Sequence, residues 1–213
     1  GGSIRQPAAF CGCVGFKPSY GRVSRYGLAA YSSSLDQIGP ITQNVEDAAI
    51  LYDIIAGHDE KDSTSLNQNF TPSAPALNPN RKLKIALIKN YTDEADAEVK
   101  NAIYKAADAL KSAGHEIKQC QLSSAKYAIA AYYIIATAEA SANLSRYDGV
   151  RYGKRADCDN LKDMYALTRG EGFGSEVKRR MLLGTFVLSS GYYDAYYIKA
   201  QKARAFIAKA YAS

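Results

Sequence analysis

The sequence predicts an α/β fold in which a mixed sheet is flanked by helices and the second half of the chain is mainly helical. The apolar run Lys84–Ile88 is followed by an amphipathic segment, Ala95–Ala113, and by alternating polar and apolar residues over His115–Leu122. Apolar and alternating runs of this length are typical of strands, the first of them buried. A strand, a helix and a strand in this order predict a βαβ unit. From Ser124 onward the spacing of apolar residues is mostly helical.

The residues before this unit predict loops and one helix. The segment 1–40 is rich in Gly, Pro and Ser, which indicates turns, loops and short extended pieces. Asn44 is a candidate cap for a helix over Ala48–Ala56, which Gly57 can end. The polar segment 58–80 is expected to be a long surface connection, and its prolines are Pro72, Pro75 and Pro79.

The second half predicts four helices with breaks between them. The helices are expected at Ala125–Leu144, Leu161–Arg169, from Ser175 toward Leu188, and at Tyr192–Ala212. The breaks are expected at Tyr147–Asp159, in a tight glycine loop at Gly170–Gly174 with Ser175 as the next cap, and at Gly191.

Composition indicates an ordinary globular protein. Hydrophobic residues make up 47% of the 213 residues and charged residues 23%, and no apolar run reaches the length of a membrane span. The net charge of +6 is scattered, with its densest cluster at Lys178–Arg180, so it does not predict a nucleic-acid or membrane surface. We expect residues 1–213 to form part of a single domain.

The four cysteines indicate a reducing compartment. They are Cys11, Cys13, Cys120 and Cys158, and only the first two are close in sequence. This spacing lacks the second pair that a structural zinc site needs, so we expect free thiols and a cytoplasmic location, with a zinc site at Cys11 and Cys13 as the alternative.

Ser3 is the candidate nucleophile of the chain. It follows Gly1 and Gly2, and glycines allow the tight turn that exposes a serine hydroxyl and aims backbone N–H groups at one point. Gly-Gly-Ser also occurs in linkers, which is the alternative interpretation. The chain has only two histidines, so a lysine-based triad is expected in place of Ser-His-Asp.

Several longer runs carry a family resemblance. They are Gly1–Gly12, Gly15–Ser24, Ser33–Pro40, Glu139–Gly149 and Glu171–Gly174. Together they resemble the amidase signature family and, within it, the A subunits of bacterial glutamyl-tRNA(Gln) amidotransferases. The likeness covers essentially the whole chain and implies an amidase-signature fold. In that family a lysine and a bridging serine precede the nucleophile, and further glutamine contacts follow later, so the resemblance implies that this chain is an internal fragment without them.

The resemblance also implies a function in bacterial translation. In the family the serine attacks the side-chain amide of glutamine, and the ammonia passes to the B subunit. The B subunit uses ATP and Mg to activate the glutamate of Glu-tRNA(Gln), and the C subunit holds the other two together in a heterotrimer. The implied partners are therefore the B and C subunits, glutamine and Glu-tRNA(Gln). No cofactor is expected on this chain.

The site residues that the resemblance implies are few. They are Ser3 as nucleophile, the backbone of Gly1 and Gly2 in the oxyanion hole, and Arg180 and Tyr132 as glutamine contacts, with Arg5 and Asp36 as structural support. A bidentate arginine suits the α-carboxylate of glutamine. The alternatives are a solvated helix face for Arg180, a core aromatic for Tyr132 and an exposed arginine for Arg5.

Two other functions stay open on the sequence alone. One is a stand-alone amidase acting on a small amide, which would have no need of an arginine for an α-carboxylate. The other is a folded or binding piece without activity, because the general base is expected outside this chain.

Overall fold

The computed structural model describes residues 2–72 and 80–212. Its α-helices are α1 (Gly2–Phe10), α2 (Val45–Ile55), α3 (Lys89–Asp93), α4 (Ala97–Ser112), α5 (Ala128–Leu144), α6 (Leu161–Gly172), α7 (Ser175–Leu188) and α8 (Lys199–Ala212). Its strands are β1 (Val14–Gly15), β2 (Ile41–Thr42), β3 (Lys84–Ile88) and β4 (Glu116–Cys120). A π-helical turn over Asp194–Ile198 leads into α8. The α/β class and the helical second half are confirmed. Within the described ranges no helix is long and apolar enough to cross a membrane.

The chain divides into two compact units. The first contains residues 1–77 and 135–190, and the second contains residues 78–134 and 191–213. Helix α5 contributes residues to both, because the division falls between Ile134 and Ile135.

The second unit contains the predicted βαβ arrangement. Strands β3 and β4 pair in parallel, from Lys84 opposite Glu116 to Ile88 opposite Cys120. The short helix α3 and the longer α4 lie between them. Helix α4 ends at Ser112, and Gly114 follows with a φ of +88°, which fits the glycine preference just after a helix end. The expectation of a buried strand is wrong, because the side chains of β3 are half-buried or exposed. A two-stranded sheet with one crossover helix cannot cover both of its faces.

The first unit begins with a helix where the sequence predicted loops. Residues 2–10 form α1 even though Pro7 lies inside it. Ile4 and Ala8, one turn apart, are buried, and a Cβ added at Gly15 of β1 would stand 2.7 Å from the Ala8 Cβ. Burial of this face against a close-packed strand outweighs the poor helix propensity of the glycine- and proline-containing segment.

Helix α2 begins where the sequence placed it. The Asn44 side chain accepts a hydrogen bond from the Asp47 amide at 2.8 Å, which is the predicted cap. The helix ends at Ile55, and Gly57 follows with a φ of +146°. The cap is confirmed, but the expected left-handed glycine end is wrong, because Ala56 already leaves the helix in an extended conformation.

The segment after α2 is more than a surface connection, because Asp62 is buried there. Its carboxylate accepts hydrogen bonds from the Arg25 amide at 2.8 Å and from the Thr64 hydroxyl at 2.7 Å. Burial raises the pKa of Asp62, but these hydrogen bonds and the Arg25 charge outweigh it and lower the pKa overall. Pro72 is exposed, whereas Pro75 and Pro79 lie outside the described residues.

Helices α5 and α7 cross in the first unit at a glycine. A Cβ at Gly184 would stand 1.9 Å from the Thr137 carbonyl oxygen and 2.8 Å from the Ser141 Cβ. The backbone of α7 therefore contacts α5 with no room for a side chain. This crossing fixes α7 beside the buried, alanine-rich face of α5.

The glycine loop predicted at 170–174 is mostly helical. Helix α6 continues through Gly172, and the Phe173 amide closes its last turn on the Arg169 carbonyl. The Arg169 guanidinium donates to the carbonyls of Leu144 and Tyr147, which holds this turn against the end of α5. Gly174 and not Ser175 occupies the cap position of α7, and no side chain caps it.

We predict that Gly184→Ala destabilises the fold and that Gly170→Ala does not. The methyl group at position 184 would overlap the backbone of α5, and overpacking of this kind costs about 1–3 kcal/mol. Position 170 is helical and open on all sides, so alanine there adds up to about 1 kcal/mol of helix propensity. Urea unfolding of both variants measures this, and equal midpoints would contradict it.

A second prediction concerns acid stability. Asp62→Asn should lower the free energy of unfolding at neutral pH by about 1–3 kcal/mol, because asparagine loses the charge that the buried donors complement. A lowered folded-state pKa means that the carboxylate stabilises the fold above its ordinary pKa of 3.8 and loses this effect as the pH falls through the lower, folded value. The difference between wild type and variant should therefore shrink only below about pH 4, as urea titrations at several pH values would show.

Candidate active site

Ser3 lies in the first turn of α1 and is exposed. Its position is fixed by the next residue, because the Ile4 side chain is buried and its Cδ1 lies 3.0 Å from where a Cβ at Gly39 would stand. Only a glycine at position 39 lets the chain approach so closely, since a Cβ there would also overlap the Phe16 carbonyl. The Ser3 hydroxyl therefore lies at a helix start whose position is held by the close packing of Gly39 against Ile4 and against the Phe16 carbonyl.

The start of α1 has the electrostatics that an oxyanion requires. The first amides of a helix have no intrahelical acceptor, and the helix dipole is positive there. A Cβ at Gly2 would meet no described atom outside the helix backbone within 4 Å. Pro7 has no N–H to give to the Ser3 carbonyl, which weakens the helical hydrogen bonding of this turn. Gly1, the other predicted oxyanion residue, lies outside the described residues.

No described side chain hydrogen-bonds to the Ser3 hydroxyl within residues 2–72 and 80–212. The nearest charged residue in sequence is Arg5, which is exposed. Burial and the Arg5 charge lower the pKa of Lys17, whose amino group donates to the Pro18 carbonyl. This part of the chain thus presents a nucleophile without a bonded general base.

Asp36 supports the turn on which it lies. Its carboxylate accepts from the Tyr31 amide at 2.8 Å and from the Ser32 amide at 3.0 Å. The amides of Leu35 and Asp36 in turn donate to the Ser32 carbonyl. Asp36 therefore holds its own turn together, and its predicted support of the nucleophile through Arg5 stays a prediction.

Two side chains of α5 form hydrogen bonds with residues 31–34, which belong to the same turn. Glu139 accepts from the Ser32 hydroxyl at 2.6 Å and from the Ser34 hydroxyl and amide at 2.6 and 2.9 Å. Asn143, one helical turn later and buried, donates to the Tyr31 carbonyl at 3.1 Å. We call this set of contacts, between Glu139 and Asn143 of α5 and residues 31–34, the α5 clamp.

Arg180 lies on α7 between an acidic and an aromatic side chain. Its Nε donates to Glu176 at 2.9 Å, and its Nη1 donates to the Tyr31 hydroxyl at 3.3 Å. The guanidinium carbon is 5.8 Å from the centre of the Tyr31 ring. The hydrogen bond to Tyr31 and, to a smaller extent, the contact with Glu176 raise the pKa of Arg180. These contacts leave both Nη2 donors and one Nη1 donor for a ligand.

Arg180 differs from its neighbours Lys178 and Arg179, which lie on a solvent-exposed face of α7. Arg179 has 70% of its side chain exposed and pairs with Glu176, and Lys178 donates to the Gly170 carbonyl. Arg180 is only 37% exposed and is the residue of the three that reaches Tyr31. The bidentate arginine that the sequence placed at 180 is therefore geometrically available for a carboxylate.

Tyr132 belongs to the second unit, whereas Ser3 and Arg180 belong to the first. It is 48% exposed, and its ring packs edge-on against Tyr133 at 5.3 Å. This exposure disagrees with a core aromatic, the alternative for this residue. Its contact with glutamine stays a prediction.

The structure adds three residues that the sequence argument did not assign. Glu139 and Asn143 are spaced four apart on an otherwise alanine-rich helix, and this polar pair on one face was a usable signal. Tyr31 gave no such signal, because its link to Arg180 spans 149 residues. All four cysteines are free, and the described part of the chain has no group of residues able to hold a metal.

An exposed serine at a helix start, with a half-buried arginine in the same unit, suits acyl transfer from an amide. The Amidase family model matches residues 1–213, so the chain belongs to the amidase family. Solved structures share the fold, including a peptide amidase in complex with chymostatin, with 27% identity, a TM-score of 0.69 and coverage of 94% of this chain and 42% of that one.

Within the amidase family, the chain is highly similar to one group of relatives, the A subunits of glutamyl-tRNA(Gln) amidotransferases. The A subunit of glutamyl-tRNA(Gln) amidotransferase from Campylobacter jejuni subsp. jejuni serotype O:6 is 75% identical over 212 residues, which are 99% of this chain and 47% of that protein. The corresponding protein of Campylobacter fetus is 76% identical over 97% of this chain and 46% of its own length. The crystal structure of the Thermotoga maritima A subunit matches with 40% identity and a TM-score of 0.69, over 98% of this chain and 41% of that one. The chain thus spans about half the length of the relatives it matches.

Proposed function

We propose that the protein carrying this chain is the glutamine-hydrolysing subunit of a glutamyl-tRNA(Gln) amidotransferase. The observation that carries the proposal is the pair Ser3 and Arg180 in one unit, in a chain 75% identical to the A subunit of such an enzyme. A nucleophile at a helix start suits an amide carbonyl, and an arginine with free Nη donors suits the α-carboxylate that distinguishes glutamine from a simple amide.

The reaction proceeds through an acyl-enzyme. The Ser3 oxygen attacks the side-chain amide carbon of glutamine while a base takes the hydroxyl proton. The amides at the start of α1 stabilise the negative oxygen that forms. Collapse of the intermediate, with a proton given to nitrogen, releases ammonia and leaves a glutamyl ester on Ser3. Water then hydrolyses this ester to glutamate and restores the serine.

The base and the ammonia acceptor come from outside this chain. No described residue bonds to Ser3, and the family resemblance places a lysine and a bridging serine in that role. The same resemblance assigns the ammonia to the B subunit, which uses ATP and Mg on Glu-tRNA(Gln), with the C subunit holding the complex together. Such a protein acts in cytoplasmic translation, in keeping with four free cysteines.

The second candidate function is a stand-alone amidase, favoured by the shared fold with a peptide amidase. The two functions differ in their need for Arg180. An amidase for neutral substrates has no carboxylate to bind, and burying part of a guanidinium without that purpose would cost desolvation.

We predict that Arg180→Ala raises the KM for glutamine by about 10- to 150-fold and lowers kcat only a few-fold. A charge-assisted contact to the carboxylate is worth roughly 1.5–3 kcal/mol in both the ground and the transition state. Arg179→Ala, one residue away and largely exposed, is the matched control and should leave KM within about twofold. Steady-state ammonia release from the full-length protein measures both, and an unchanged KM in the first variant would favour the stand-alone amidase.

A further prediction separates the chain from the whole enzyme. The 213-residue chain should release no ammonia from glutamine above background, because the family resemblance places the general base outside it and no described side chain bonds to the Ser3 hydroxyl. The full-length protein with its partner subunits should hydrolyse glutamine and lose on the order of 10⁴-fold or more of that activity in Ser3→Ala. Ammonia release by the short chain that disappears in its Ser3→Ala variant would contradict the first part.

A further inference from the structure

The α5 clamp fixes the backbone of one particular residue, Tyr31. The Tyr31 amide is bonded to Asp36, and its carbonyl accepts from the buried Asn143. The residues after it are fixed as well, because Glu139 takes the hydroxyl of the buried Ser32 and both donors of Ser34. Both polar backbone groups of Tyr31 are therefore hydrogen-bonded, which fixes the position of the backbone that carries its side chain.

The side chain of Tyr31 contacts Arg180 of α7, so the fixed backbone of Tyr31 also restricts the position of that arginine. Its hydroxyl accepts from Arg180 at 3.3 Å, and its ring lies under the guanidinium at 5.8 Å. Without these contacts Arg180 would keep only its ion pair with Glu176 on the same helix, which is exposed and shared with Arg179. An arginine has large rotamer entropy, and a lone exposed ion pair orders it poorly.

We propose that Glu139 and Asn143 are positioning residues for the substrate carboxylate, acting through Tyr31 on Arg180. The inference rests on the proposed function, since it concerns how the same site holds the α-carboxylate of glutamine. The clamp keeps the Tyr31 ring and hydroxyl on one side of the guanidinium and Glu176 on another. The Nη2 edge then stays turned toward the ligand, and less entropy is lost when the carboxylate binds.

The role differs from general stabilisation in what it should change. A clamp that orients Arg180 affects ligands that carry an α-carboxylate and leaves ligands without one untouched. The amide of γ-aminobutyrate is glutamine without that carboxylate, so it is a matched probe. A merely structural role would weaken the binding of both compounds together.

The test uses Tyr31→Phe and Glu139→Gln in the full-length protein with its partner subunits. Phenylalanine keeps the ring and removes the hydroxyl, and glutamine keeps the volume of Glu139 but replaces one acceptor oxygen by a donor. We expect the KM for glutamine to rise about tenfold in the first and about fivefold in the second, with kcat within about twofold. The inhibition constant of γ-aminobutyramide against glutamine should stay within about twofold.

Tyr26→Phe is the control for the tyrosine change, because Tyr26 is 64% exposed and its substitution should leave every constant unchanged. Circular-dichroism melts of all variants report folding. If Glu139→Gln does not fold, Asn143→Asp takes its place, because aspartate keeps the size of the side chain and removes the donor to the Tyr31 carbonyl, with the same expected rise in the glutamine KM. An unchanged glutamine KM in Tyr31→Phe, or equal weakening of both compounds, would overturn the proposal.

Arg180→Ala distinguishes this proposal from the proposed function. If Arg180→Ala raises the glutamine KM while Tyr31→Phe and Glu139→Gln do not, only the positioning role fails. If Arg180→Ala also leaves KM unchanged, the carboxylate site itself is wrong, and the proposed function loses the observation that carries it.

Discussion

The first unit depends on the carboxylate of Glu139, which joins segments that lie 107 residues apart in the chain. It is a half-buried charge, and such a charge is tolerated only when hydrogen bonds replace its lost water. Two serine hydroxyls and one amide supply those bonds. The small side chains of α5 make the approach possible, since Ala136 and Ala140 have almost no exposed surface. The turn at residues 31–34 is thereby tied to the helical second half.

The parts of the fold that follow local rules could be predicted from the sequence. The cap at Asn44, the βαβ unit over residues 84–120 and the break at Gly114 depend on side chains close to one another in the chain. The predictions of loops at α1 and at the end of α6 were wrong for a common reason. Both segments are stabilised by distant contacts, α1 by Gly15 and Gly39 and the end of α6 by the C-terminal end of α5. Glycine-rich segments lack strong propensities, so tertiary contacts decide their conformation.

The residues of the candidate site also divide into those that the sequence indicates and those that only distant contacts reveal. Ser3 and Arg180 could be found because their chemistry shows in their residue types and in a family resemblance. The contacts that orient Arg180 could not, since a tyrosine at position 31 is one of 17 in the chain and nothing local marks it. Glu139 and Asn143 could be predicted only in part. Their spacing puts them on one face of α5, but only the folded structure brings residues 31–34 to that face.

This arrangement separates the binding of a carboxylate from the chemistry at the amide. One fold can serve different substrates through contacts added to a common scaffold, so the contacts that would select glutamine in the proposed function need not involve the turn that carries the nucleophile. In the proposed function Arg180, Tyr31 and the α5 clamp would be such contacts, and the hydrogen bonds that join them to one another do not involve Ser3. Changes in them should alter affinity for glutamine while the nucleophile keeps its setting. Selectivity can then change among relatives of one fold without disturbing the turn that carries the reaction.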